Sequence, residues 1–184
     1  MNYTPTTELE AVNEMLGMVG EAPVNSLEVS GLVDAGRART LLHTTSRSIQ
    51  SRCWNFNTED EYPLLVDEEG YINLPANTLR VDATDPTIKV TQRGSRLYDL
   101  DNHTYIFNEC PRLRITFFLE FEVMPEPARR YITLNAGRLF QTEVQGSDSI
   151  HSQTYKAEEE ALAVLRDLEA DNGDYSMLPL GLRR

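Results

Sequence analysis

A chain of 184 residues with 40% apolar and 25% charged content can bury a core, and it suits one domain or one domain carrying a sizeable insertion. Its net charge of −12 argues against a conventional DNA-binding domain, whose affinity rests on Lys and Arg at phosphates. No apolar run approaches the roughly 20 residues needed to cross a bilayer, and the opening residues lack the basic-then-apolar pattern of a secretory signal. The first predicted helix starts at Thr7, where Thr7-x-x-Glu10 reads as a capping box. Leu9, Val12, Leu16 and Val19 form its stripe, and Gly20 ends it. A second helix is expected from about Asp34 to Cys53, with Ala38, Leu41, Leu42, Thr45, Ile49 and Cys53 at helical spacing.

At Trp54, the only tryptophan, the period changes to strand-like alternation with Phe56. Trp54 and Phe56 are therefore expected to anchor a helix–strand junction, with Trp54 in the core. Residues 54–121 read as β. The candidate strands are Leu64–Val66, Tyr71–Leu74, Thr78–Asp82, Ile88–Thr91, Leu97–Asp99, Thr104–Phe107 and Leu113–Val123. Short turns such as Glu69-Gly70, Asp85-Pro86 and Arg93-Gly94-Ser95 separate them, so the pairing must be antiparallel. A third helix starts near Pro127, with Ala128, Ile132, Ala136, Leu139, Phe140 and Val144 as its stripe. Gly146-Ser147-Asp148 breaks it. A fourth spans roughly 150–171, with Ala157, Ala161, Leu165 and Leu168 inward and Asn172-Gly173 as its stop. The expected fold class is α+β: a four-helix bundle from residues 1–56 and 122–184, with residues 57–121 as an antiparallel β insertion between helices two and three. Residues 174–184 are expected to form an extended tail.

The residues offer little chemistry. His43, His103 and His151 are far apart in sequence, and no zinc spacing, nucleophile elbow or phosphate loop occurs. Cys53 and Cys110 make no disulfide framework, which fits synthesis in a reducing compartment. Glu59-Asp60-Glu61, Asp67-Glu68-Glu69 and Glu158-Glu159-Glu160 are read as solvated acidic faces rather than paired catalytic carboxylates. No catalytic residue, metal ligand, cofactor or enzymatic activity is expected. The cations are fifteen Arg against two Lys. Arg suits protein–protein contacts, because its planar fork pairs carboxylates bidentately; codon bias gives the same ratio.

Several stretches in order resemble the tail tubular protein A family, the tail adaptor of short-tailed bacteriophages. They are Glu8-Leu9-x-Ala11-Val12-Asn13, Gly20-Glu21-Ala22-Pro23-Val24, Ile49-Gln50-Ser51-Arg52-x-Trp54-x-Phe56-Asn57, Tyr71-Ile72-Asn73-Leu74-Pro75 and Arg96-Leu97-Tyr98-Asp99. Met124-Pro125-Glu126, Ala136-x-Arg138-x-Phe140 and Gly173-Asp174-Tyr175-Ser176-Met177-Leu178 complete the resemblance. It implies a structural virion protein, made in the host cytoplasm and carried in the tail. As implied, copies form a dodecameric ring between the portal protein and the nozzle protein, tail tubular protein B, with tail fibre as a further contact. Double-stranded DNA passes through without specific binding, and no membrane is involved. An acidic wall suits such a conduit, since each phosphate contact would add friction. A ring also needs a heterologous interface. Arg37, Arg39, Arg129 and Arg130, near helix starts, are the candidates for pairs between neighbours. Leu178, Leu180 and Leu182 are the candidates for docking on portal or a neighbour. Two other readings stay open: a tail-borne glycan hydrolase, and an acidic protein-binding module that mimics the charge of DNA.

Overall fold

The computed structural model describes residues 5–28, 33–145 and 148–177, with residues 145, 148–153 and 172–177 described in backbone only. Among the described residues it is α+β, with four α-helices and two antiparallel sheets. The chain divides into two compact units. Residues 50–119 form one, and the segments on either side of them form the other.

The helical unit contains α1 (Glu8–Met18), α2 (Val33–Gln50, whose last residue already belongs to the other unit), α3 (Glu126–Gln145) and α4 (Asp148–Met177). The capping box at α1 is formed as expected: Thr7 Oγ1 accepts from Glu10 N–H at 3.2 Å, and Glu10 Oε2 accepts from Thr7 N–H at 2.8 Å. A second carboxylate, from Glu122, accepts from Glu8 N–H at 3.2 Å, so the positive end of the helix is met by negative charge. At the other end Gly20 adopts φ +83°, and Glu21 N–H returns to Leu16 O at 3.0 Å. Only a residue tolerant of the left-handed region closes a helix this way, which is why Gly20 stands there.

α2 ends at Gln50, three residues before the expected Cys53. Cys53 itself has φ +62°, which no helix allows. α3 begins one residue before Pro127 and packs against both α1 and α4. Two partners explain why it is buried on more than one stripe. Ala128, Ile132, Ala136 and Phe140 are buried as expected, and so are Arg129, Tyr131, Thr133, Leu134 and Gln141. The outer end of the expected stripe fails: Leu139 is half-buried and Val144 exposed. α4 buries Ala161 and Leu165 and runs straight through Asn172-Gly173, so the expected stop there is overturned. Residues 174–177 belong to this helix and are not an extended tail. Leu178, Leu180 and Leu182 lie outside the described residues.

The β unit contains β1 (Thr58–Asp60), β2 (Thr78–Ala83), β3 (Val90–Arg93), β4 (Arg96–Asp99) and β5 (Leu113–Phe117). β5 is the centre of a three-stranded sheet ordered β1-β5-β2, and β3 pairs with β4; every pairing is antiparallel. The core is Ile72, Leu74, Val81, Val90, Leu97, Leu113, Ile115 and Phe117. β1 was not expected, since two of its three residues are acids. The pairs Thr58↔Thr116, Glu59↔Ile115 and Asp60↔Arg114 create it. The expected strands at 64–66 and 71–74 reduce to isolated bridges, Val66↔Ile72 and Asn73↔Arg96, and 104–107 to Asp99↔Thr104. The long run 113–123 breaks after Phe117, and Phe121–Val123 is a 3-10 turn.

Candidate functional site

Among the described residues, no group of His, Cys, Asp or Glu is placed to hold a metal ion. The acidic clusters instead serve the fold. Arg114 forks onto Asp60, and Arg112 reaches Glu61 at 2.9 Å. Asp67 closes its own turn: Oδ1 accepts from Tyr71 N–H at 2.7 Å and Oδ2 from Asn73 Nδ2 at 2.9 Å. The reading of 158–160 as a solvated face fails at its first residue. Glu158 is only 7% exposed and accepts from Arg138 and Asn135 of α3. Glu159 and Glu160 are exposed. The i, i+1 spacing explains the split, since neighbouring residues on a helix cannot face the same partner.

The four arginines chosen near helix starts take different environments. Arg129 is 7% exposed and gives its fork to three carbonyls of its own chain: Nε to Met124 O at 2.7 Å, Nη1 to Thr6 O at 2.8 Å and Nη2 to Glu122 O. It ties the chain's return to the helical unit onto the start of α1. Arg39 Nε donates to Glu8 Oε1 at 2.8 Å, and Arg130 Nη1 to Glu14 Oε2 at 2.6 Å. Arg37 is held loosely, 3.7 Å from Asp34 and 3.8 Å from Glu143.

Glu8 also meets His43 Nε2 at 2.7 Å, so one carboxylate of α1 holds two side chains from α2. Burial pushes this carboxyl up. The hydrogen bonds from Arg39 and His43, with the charges of both, outweigh it and leave the pKa below the ordinary 4.5.

Trp54 and Phe56 do not form a strand. Trp54 precedes a 3-10 turn, Asn55–Asn57, that contains Phe56, and the two rings stack with centroids 6.5 Å apart at 17°. Both are half-buried, so Trp54 is not the closed core anchor the sequence indicated. The buried polar ends of the same motif, Gln50 and Asn57, bond to the backbone of β5 and the residues just after it. Asn57 Nδ2 donates to Gln50 O at 3.0 Å and Phe117 O at 2.7 Å.

A further cluster escaped the sequence reading. Arg93 lies 3.6 Å over the ring of Tyr98, Arg96 lies 3.9 Å over Tyr71, and Tyr105 meets Tyr98 edge-on at 4.8 Å. The sequence marked the turn Arg93-Gly94-Ser95 and the strands around it, but not the contacts between these side chains. The signal available was two cations astride a hairpin turn with tyrosine two residues on. None of the described helices is long and apolar enough to cross a membrane.

The Tube family, described as tail tubular protein, matches residues 9–175. The chain is 29% identical over 161 residues to Tail tubular protein A of Klebsiella phage KP34, an alignment covering 87% of this chain and 86% of that protein.

Proposed function

We propose that this chain, which belongs to the tail tubular protein family and is thus a structural protein of a phage tail, is the tail's adaptor subunit. In this reading copies close into a dodecameric ring that joins the portal to the nozzle protein and surrounds the path of the DNA. The four helices form a bundle, with the β unit as its insertion. The observation that carries the proposal is the extent of the likeness. It runs over residues 9–175, through both units, and nearly end to end in the phage KP34 relative.

Two physical features support it. The net charge of −12 suits a wall that must not grip phosphate. Arg37, Arg39 and Arg130 are about half exposed, so their forks can re-pair with a neighbour, whereas Arg129 is committed to its own fold. Electron microscopy of purified tails tests the reading. The expected result is a closed ring of this chain next to the portal, with a lumen net negative or neutral. Tails in which this chain has no rotational symmetry, or a lumen lined mainly by Arg and Lys, overturn it.

A further inference from the structure

The outward face of the β3–β4 hairpin carries two arginines that meet no carboxylate among the described residues. Val90 and Leu97 point to the core, so alternation puts Thr91, Arg93, Arg96 and Tyr98 on the other face. Tyr71 and Asn73 join them, because Ile72 between them is fully buried and Asn73 bridges to Arg96. Arg93 and Arg96 are direct cross-strand partners astride Gly94. Like charges directly opposite each other destabilise a hairpin.

Seven other described arginines lie against carboxylates. Neither Arg93 nor Arg96 is in an ion pair among the described residues. Each guanidinium rests on a tyrosine ring instead, at 3.6 and 3.9 Å. Stacking of this kind fixes the guanidinium plane in advance and leaves its in-plane N–H edge for a planar anion. Less freedom is then lost when a partner arrives. The face continues into exposed Tyr105 and Ile106, so it joins charge to apolar area.

We propose that this face docks a carboxylate-bearing surface of a second copy of the chain. The net charge of −12 means that each copy carries far more carboxylates than its own cations can match. That surplus is the complement of two unanswered arginines. Arg and Tyr are also the residues that dominate interface energetics. Duplex DNA, the other polyanion a tail meets, is repelled by the same net charge. The inference rests on the ring reading and deepens it, by naming one side of a heterologous contact.

The test uses the full chain in assembled tails, with a photo-crosslinking amino acid at Ser95. The expected product is a homodimer of this chain whose partner peptide contains Asp or Glu. Its yield should fall about tenfold in R93Q/R96Q, the loss of about 1.4 kcal/mol of contact, while the variant's melting curve stays that of the parent. If the folded double variant enters no tails, the parent's Ser95 adduct decides: a homodimer supports the proposal and an adduct to another component overturns it. An adduct to another tail protein or to DNA, or a homodimer yield unchanged in R93Q/R96Q, overturns it. Rotational symmetry is read from micrographs of the same tails. A ring without the homodimer overturns the docking face alone, and the homodimer without a ring overturns the ring alone.

Discussion

The side-chain amide of Gln50 and the backbone of Leu119 form a closed two-bond pair. Nε2 donates to Leu119 O at 2.9 Å, and Oε1 accepts from Leu119 N–H at 2.8 Å. These are the first and last residues of the β unit. A fully buried side chain thus takes the place of a strand rung where that unit opens and closes, and Asn57 adds two bonds beside it. Gln50→Ala should destabilise the chain by about 2–4 kcal/mol, since it leaves both backbone groups of Leu119 without these bonds. Gln50→Glu should cost at least as much, because it aims a charge at Leu119 O. Urea denaturation measures both, and a Gln50→Ala midpoint equal to the parent's would remove Gln50 from this role.

Arg129 is a fold residue by its geometry. Arg129→Lys keeps the charge and loses the fork that reaches three carbonyls. It should destabilise the isolated chain by about 2–4 kcal/mol. Arg37→Gln, at a loose exposed pair, should change stability by no more than about 0.5 kcal/mol. If the two variants denature alike, the distinction drawn between these arginines is wrong.

Glu8 should make the helical unit acid-sensitive. Its folded pKa lies below the ordinary 4.5. The ionised form is therefore favoured by folding, and this stabilisation is complete above the unfolded value. It is lost as pH falls through the folded one. Glu8→Gln should be less stable than the parent at neutral pH and should show a flatter loss of stability below about pH 4.5. Parallel acid limbs for the two chains would count against this.

Trp54 offers a test by its own light. A half-buried ring stacked on Phe56 should be partly open to a soluble quencher, with emission between buried and exposed extremes. Trp54→Ala should cost about 1–3 kcal/mol, below the range for a fully buried aromatic. A ring wholly shielded from acrylamide would return it to the core.

What the sequence made legible was local or periodic. Thr7-x-x-Glu10 and Gly20 need only near neighbours, so both ends of α1 were readable. The antiparallel β3–β4 hairpin followed from its short turn, whereas β1 and β2 meet β5 across long stretches of chain. What escaped depends on distant residues. Thr58–Asp60 becomes a strand only because β5 lies beside it. Arg129 looked like a surface cation because its three carbonyl partners come from residues 6, 122 and 124. The motif ending in Asn57 was readable as a unit, yet its bulkiest residue drew attention from the buried amides that do the pairing.

The end of α4 gives the sharpest conflict between local signal and fold. Asn172-Gly173 reads as a stop, which would place Gly173 in the left-handed region. The helix instead continues to Met177. The two readings predict opposite effects of Gly173→Ala. In a left-handed cap, the added methyl strains the backbone and weakens the end. Inside a helix, the same change removes the entropic cost of glycine and favours the last turn by about 0.5–1 kcal/mol. We expect Gly173→Ala to raise helicity by circular dichroism and to slow amide exchange across residues 170–177. Faster exchange over that segment would restore the stop at Asn172-Gly173 and shorten α4 accordingly.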